Sequence, residues 1–144
     1  MIAASPTALL RLHHIGFVVA NIADSAPGFL RSMGGSWDEK VFADPGQKVK
    51  VTFLRITAGD VWVELVEPNG EDAPVRKFLR EKGPGLHHLC YEVNKLEDAL
   101  AELRSKGGLI AKPPKPAVAF EGRRIAWLIT ADKLLVELLE VEKR

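Results

Sequence analysis

Two copies of one short motif lie 74 residues apart in the sequence. His13–Val19 reads HHIGFVV, and His87–Val93 reads HHLCYEV. A second pair keeps nearly the same spacing, because VELVE at Val63–Glu67 returns as VELLE at Val136–Glu140, 73 residues later. Two unrelated motifs whose offsets agree to within one residue indicate an internal repeat. The chain of 144 residues is therefore predicted to consist of two similar halves of about 72 residues each.

Each half is predicted to contain one strand, one helix and then a small group of strands. Neither half is long enough to bury a stable core easily by itself, so the two are expected to pair in a single domain at residues 13–144. Its parts are module one at about 13–70, a connecting helix at about 71–85 and module two at about 86–141, after a loose N-terminal lead-in at 1–12. Predicted strands cover 13–20, 48–57, 61–67, 87–93, 124–129 and 134–140; predicted helices cover 22–32, 75–81 and 96–106.

Three local signals refine this outline. Asn21 and Asn94 are predicted N-caps of the first and last helices, because a short polar side chain can accept a hydrogen bond from the first helical turn. Pro74 is expected in the first turn of the middle helix. The KPPKP segment at Lys112–Pro116 is predicted to be a connector, because proline cannot donate to a central strand.

Composition excludes several classes of protein. Lys plus Arg number 20 and Asp plus Glu number 19, so the net charge of +1 argues against nucleic acid as the main partner. No apolar run approaches the roughly 20 residues that a membrane-spanning helix needs. Cys90 is the only cysteine, which excludes an internal disulfide and an all-cysteine metal site. The expected compartment is the cytoplasm.

Strand alternation places one histidine and one glutamate of each half among apolar neighbours. The pairs are His14 with Glu64 and His88 with Glu137, separated by 50 and 49 residues. Taken singly, each histidine is explained by hydrogen bonding within a core, and each glutamate by a solvent-facing position. A carboxylate among apolar residues is costly, however, unless it is paired or bound to a cation. The repeated His–Glu pattern therefore predicts a divalent-metal site formed by all four residues.

The remaining polar residues of these motifs receive structural interpretations. His13 and His87 alternate to the opposite strand faces and are expected to have structural or supporting roles. Glu67 and Glu140 are interpreted as solvated strand ends. Cys90 faces the same side as His88 and is expected to be a small apolar filler, because nothing in the sequence marks it as an activated thiol.

The segments HHIGFVV, VELVEP, GLHHLCYEV and LLVELLE resemble the vicinal oxygen chelate (glyoxalase/bleomycin resistance) superfamily, and the stretch from Val61 to Val93 is most similar to its methylmalonyl-CoA epimerase branch. The resemblance implies an α+β fold of two paired βαβββ modules that form a curved mixed sheet around a metal site. It also implies a homodimer. Position by position, the metal ligands fall on His14, Glu64, His88 and Glu137, and the ion is expected to be cobalt, nickel, manganese or zinc.

The resemblance further implies an isomerase or epimerase that removes a proton next to a metal-bound carbonyl, with Glu137 as both ligand and base. The expected partner is a small molecule such as an acyl-CoA. Two alternatives stay open: a glyoxalase-like lyase acting on a thiol adduct, and a non-catalytic small-molecule binding or resistance protein of the same fold.

The chain departs from the epimerase pattern at one position. The family's second acid/base glutamate falls on Gly46. Asp44 is the candidate replacement, although Asp44-Pro45-Gly46 is also an ordinary turn sequence. The basic residues Lys48, Lys50, Arg123 and Arg124 are interpreted either as phosphate or CoA contacts or, as the sequence favours, as a solvated basic face.

Overall fold

The computed structural model describes residues 1–142, and these contain nine strands, three helices and one 3-10 turn at Val118–Phe120. The strands are β1 (Leu9–Val18), β2 (Ser36–Trp37), β3 (Phe42–Asp44), β4 (Val49–Arg55), β5 (Trp62–Pro68), β6 (Gly85–Val93), β7 (Leu109–Pro116), β8 (Arg124–Ile129) and β9 (Leu135–Glu140). The helices are α1 (Ile22–Met33), α2 (Pro74–Lys82) and α3 (Leu96–Ser105). Within residues 1–142, no helix is long and apolar enough to cross a lipid bilayer. This mixture of elements confirms the predicted α+β class.

Most predicted elements are present, and the differences have local causes. The two short strands β2 and β3 carry too few residues for a recognisable alternation, and the sequence did not indicate them. The prediction of a connector at Lys112–Pro116 is wrong, because this segment lies in β7. That strand is the last in its strand order, and its register against β8 is irregular. Proline is tolerated there because an edge strand leaves one row of backbone groups unpaired.

The chain divides into two compact units. The central unit comprises His14–His88, and its strand order is β2-β4-β5-β1, with β3 paired to β4. Helix α1 covers one face of this sheet, as the alternation of the first strand predicts. The buried core of that face consists of Val19, Ile22, Ala26, Leu54, Val63 and Leu65, with Phe17 and Phe29 packed against it.

The terminal unit comprises Met1–His13 and residues 89–142, and its strand order is β6-β9-β8-β7. Helix α3 covers its sheet, and the core beneath contains Val93, Leu96, Ala99, Leu100, Ala126, Leu128, Val136 and Leu138. The lead-in expected at 1–12 is shorter than predicted, because β1 begins at Leu9. The backbone N–H of Ala8 also donates to Glu102 at 2.7 Å, and Arg11 pairs with Glu92 at 2.6 Å.

Two strand-end glutamates bind the amino ends of helices. Glu67 accepts a hydrogen bond from the N–H of Ile22 at 2.8 Å, and Glu140 accepts one from the N–H of Leu96 at 3.1 Å. The interpretation of both carboxylates as solvated strand ends is therefore wrong. Each one satisfies an N–H at the first turn of the helix in its own half, where the helix dipole favours negative charge.

The two helices differ at the N-cap position itself. Asn21 caps α1 as predicted, with its side-chain oxygen accepting from the N–H of Asp24 at 3.0 Å. Lys95, not Asn94, occupies the N-cap position of α3, so the prediction of an Asn94 cap is wrong. The acceptor for the first N–H of α3 comes instead from β9, through Glu140.

Replacing Glu140 by glutamine should lower the free energy of unfolding at pH 7 by about 1–2 kcal/mol. The hydrogen bond from Arg124, whose Nη2 lies 2.7 Å from Oε2, holds the pKa of Glu140 below its ordinary value of 4.5. Arg124 likewise lowers the pKa of Glu97 to about 2. Lowered carboxylate pKa values stabilise the fold fully above about pH 4.5, and this stabilisation is lost as the pH falls toward 2.

Urea unfolding followed by circular dichroism at pH 7 and pH 3 measures this effect. Wild type should lose more stability than Glu140→Gln between the two pH values. The exposed Glu71 provides the control, since Glu71→Gln should follow the wild-type curve. Equal pH dependence in wild type and Glu140→Gln would contradict the assignment.

Candidate metal centre

The strand register of the central unit brings polar side chains together on the sheet face opposite α1. Strands β1 and β5 run parallel, with Gly16 level with Glu64 and His14 level with Trp62. Residues two apart on a strand share a face, so His14 and Glu64 point to the same side. Phe53 lies directly opposite Glu64 on the antiparallel neighbour β4, and its ring meets His14 edge to face at 5.5 Å between centroids.

Three donor atoms converge at this face. The Nε2 atoms of His14 and His88 lie 3.1 Å apart. Oε1 of Glu64 lies 3.2 Å from Nε2 of His88 and 3.6 Å from Nε2 of His14. All three residues are buried, with His14 0% exposed and the other two 5%. The central unit therefore contains a triangle of two imidazole nitrogens and one carboxylate oxygen with sides between 3.1 and 3.6 Å.

These dimensions fit a divalent cation. Two ligand atoms bound about 2.1 Å from one metal ion lie about 3.0 Å apart at a 90° angle and about 3.4 Å apart at the tetrahedral angle. The three observed separations lie at or near this range. Imidazole nitrogen and carboxylate oxygen are donors for zinc and for the neighbouring first-row metals. A cation here also offsets the cost of burying the Glu64 carboxylate.

Gly16 makes room for one of these ligands. A Cβ atom at this position would lie 2.5 Å from Nδ1 and 2.6 Å from Nε2 of His88, closer than side-chain atoms can pack. The imidazole of His88 therefore lies directly against the backbone of β1. The sequence contained a signal for this contact, because a glycine inside a strand often marks a close approach by another group.

Aromatic side chains border the same face. Trp62 follows Phe53 at 6.5 Å between ring centroids, and the guanidinium of Arg55 lies 5.2 Å from the centre of the Trp62 ring. The neighbouring Phe53 was not indicated, because its role depends on the β4–β5 register.

Glu137 lies in the terminal unit, at the centre of β9. It is 3% exposed, level with Cys90 on β6 and with Trp127 on β8. Cys90 is completely buried and packs with Ala117, Ile125 and Leu139. The burial of Glu137 among apolar residues agrees with the sequence pattern, and so does the apolar packing of Cys90.

Asp44 forms the turn that its sequence suggests. It lies at the end of β3, where Oδ1 accepts from the backbone N–H of Gln47 at 3.0 Å and Oδ2 from the Gln47 side-chain amide at 2.9 Å. Its pairing partner Val49 is four residues from Phe53, the partner of Glu64. At 3.3 Å per residue, Asp44 shares the sheet face of Glu64 but lies about 13 Å away along the strands. Its role as a second acid/base stays a prediction.

Each of the four basic residues is paired with a carboxylate, and the side chains of Lys48 and Lys50 are 46% and 45% exposed. Arg123 contacts Glu92 at 3.3 Å. Arg124 binds both oxygens of Glu97 at 2.8 and 3.1 Å, in addition to Glu140. Lys48 pairs with Asp72, and Lys50 lies 3.9 Å from Glu67.

The chain is similar to known proteins over most of its length. The chain is 35% identical over 133 residues to the uncharacterized protein YqjC of Bacillus subtilis (90% of this chain, 91% of the relative). It is 31% identical over 135 residues to the ethylmalonyl-CoA/methylmalonyl-CoA epimerase of Cereibacter sphaeroides (91% and 98%). A solved structure of a Streptomyces coelicolor methylmalonyl-CoA epimerase variant, in complex with 2-nitronate-propionyl-CoA, matches with a TM-score of 0.79 and 25% identity (94% and 99%).

These similarities confirm the glyoxalase-like fold class, and they support an epimerase-like function. The family model described as the Glyoxalase/Bleomycin resistance protein/Dioxygenase superfamily matches residues 13–127, which include the three residues whose donor atoms converge. The chain therefore belongs to the glyoxalase/bleomycin resistance protein/dioxygenase superfamily.

Proposed function

We propose that this chain is a divalent-metal-dependent epimerase of 2-alkylmalonyl thioesters of coenzyme A, such as methylmalonyl-CoA or ethylmalonyl-CoA. The observation that carries the proposal is the buried triangle of His14, Glu64 and His88. The Cereibacter sphaeroides and Streptomyces coelicolor relatives support the substrate class. The resemblance also implies a homodimer in the cytoplasm, and both remain predictions.

Glu137 is the proposed fourth ligand. It occupies the repeat position of Glu64, 73 residues later, and it is equally buried. A cobalt, nickel, manganese or zinc ion held by the four residues would polarise the thioester carbonyl and so acidify the adjacent C–H bond. The four side chains contribute two neutral imidazoles and two carboxylates, which balance the charge of a divalent ion.

The protein's own residues then have separate tasks. The Glu137 carboxylate is the proposed base that takes the proton from C2 of the substrate. Phe53 and Trp62 limit the access of water on the side of the central unit. Inversion at C2 also needs a proton donor on the opposite face, and Asp44 is the proposed donor, provided that its turn rearranges when substrate binds.

Solvent deuterium should enter C2 of methylmalonyl-CoA in the presence of the metal-loaded protein. Proton NMR in D2O measures the exchange rate. Protein stripped with a chelator should exchange C2–H at least about 100-fold more slowly than the metal-loaded protein. Metal ion without protein provides the background. Exchange no faster than this background would reject the epimerase proposal. Turnover of a glutathione–methylglyoxal adduct instead would favour the glyoxalase-like alternative.

The same assay tests Asp44 when it starts from the stereoisomer whose C2–H faces Glu137. Asparagine keeps an oxygen that can accept from the N–H of Gln47, so the Asp44→Asn variant should fold normally. If Asp44 is the second acid, this variant should exchange C2–H with retention and lose inversion. Inversion at the wild-type rate would remove Asp44 from the mechanism.

A further inference from the structure

The residue that precedes the ligand His88 contacts its imidazole ring. The Nδ1 atoms of His87 and His88 lie 2.9 Å apart, and the two rings are nearly perpendicular at 5.1 Å between centroids. Consecutive strand residues normally point to opposite faces, so sequence adjacency alone does not produce this contact. The other ring nitrogen of His88, Nε2, faces His14 and Glu64. The two nitrogens of His88 therefore have different neighbours.

A metal ion bound to Nε2 would select one tautomer of His88. A neutral imidazole has one N–H donor and one nitrogen acceptor. If Nε2 binds a metal ion, the proton must lie on Nδ1 and needs an acceptor. Metal-binding histidines usually donate this proton to a carboxylate or a backbone carbonyl, which fixes the ring. Nδ1 of His87 is at hydrogen-bond distance and can act as the acceptor when the proton of His87 lies on Nε2.

The ring of His87 is itself held by helix α2. Phe78 meets it edge to face at 5.2 Å between centroids and an interplanar angle of 88°. Such aromatic pairs have a preferred geometry and restrain both rings. His13, the counterpart of His87 in the first half, makes a similar contact with Phe120 at 5.5 Å and 83°. Both histidines that precede a proposed ligand are therefore packed against a phenylalanine.

We infer that His87 is a positioning residue for the metal site, because its Nδ1 accepts the Nδ1–H of His88 and so keeps Nε2 of His88 available to a divalent cation. This inference rests on the metal site of the proposed function. It assigns the first histidine of the HHLCYEV motif a role that its position on the strand alone does not predict.

Two substitutions of His87 separate hydrogen bonding from packing. His87→Phe keeps an aromatic ring against Phe78 but removes the acceptor, whereas His87→Asn keeps an acceptor oxygen near the position of Nδ1. Zinc or cobalt titrated into chelator-treated protein should bind 10–100-fold more weakly to His87→Phe than to wild type. The affinity of His87→Asn should lie within about threefold of wild type. Thermal unfolding of both metal-free variants controls for folding.

The Nδ1–H proton of His88 in zinc-loaded protein provides a second readout that does not depend on enzymatic activity. Two-dimensional 15N NMR of zinc-loaded protein should show an Nδ1–H of His88 that exchanges slowly with solvent in wild type and in His87→Asn, and faster exchange in His87→Phe, which lacks the acceptor. Equal metal affinity in wild type and His87→Phe, or equal losses in both variants, would overturn the inference. If wild type binds no metal, the proposed function fails and the inference fails with it; if wild type binds metal and the exchange of the His88 Nδ1–H is the same in wild type and His87→Phe, the inference alone is rejected.

Discussion

Replacement of His88 by alanine should weaken the binding of a divalent metal ion by more than about 100-fold and reduce C2–H exchange to the background rate. The expected loss exceeds the 10–100-fold effect that is usual for residues that only support a ligand. The reason is the triangle with His14 and Glu64, in which Nε2 of His88 has the two shortest sides, at 3.1 and 3.2 Å. Its removal leaves His14 as the one imidazole donor, together with Glu64 and the proposed ligand Glu137, and so breaks the triangle.

Metal content after dialysis and isothermal titration with zinc or cobalt measure this loss. Glu67→Gln is the matched control, because Glu67 is a strand carboxylate of the same unit that binds the N–H of Ile22. That variant should lose stability and keep its metal affinity. If His88→Ala retained wild-type affinity with a normal fold, the metal centre would be wrong.

Gly16→Ala should disturb the metal site through a single methyl group. Alanine is normally better than glycine inside a strand by roughly 0.5–1 kcal/mol, so a harmless substitution would stabilise the protein. Here the added Cβ would overlap the imidazole of His88, at 2.5 Å from Nδ1. Overpacking of this kind costs about 1–3 kcal/mol, and displacement of the ring should lower the metal affinity at least about tenfold.

Gly85 supplies the comparison for this substitution. It lies on β6, the strand of His88. A Cβ atom at this position would have no heavy atom within 4 Å, apart from those of Gly85 itself and its two chain neighbours. Gly85→Ala should therefore leave metal affinity unchanged. Thermal unfolding and metal titration of the two variants side by side measure the difference. Equal behaviour of the two would show that the ring of His88 can move without cost.

The fold was largely predictable because its signals are local. The HHIGFVV and HHLCYEV motifs indicated two strands, and they fall on β1 and β6 of the structure. The predictions that were wrong depend on distant partners. Glu140 could not be recognised as the acceptor for Leu96, since the two residues are 44 positions apart. The edge position of Lys112–Pro116 likewise depends on the order of strands.

The candidate site was likewise predictable only in part. Repeat spacing and alternation alone selected His14, Glu64, His88 and Glu137, because burial of a carboxylate on an apolar strand needs a compensating charge. The turn at Asp44 was also readable, since Asp-Pro-Gly favours it locally. The distance of Asp44 from Glu64 could not be predicted from the sequence, because it follows from the pairing of β3, β4 and β5.

The sequence by itself determined that the chain is a doubled α+β unit and which four residues are candidates for metal binding. These properties follow from the two-residue period of a strand and from the spacing of the repeats, and both can be read directly from the sequence. Only the tertiary structure decided which nitrogen of His88 faces Glu64, that Gly16 must lack a side chain, and that His87 contacts the ligand. Those facts depend on ring orientation and packing between segments, which no local period specifies.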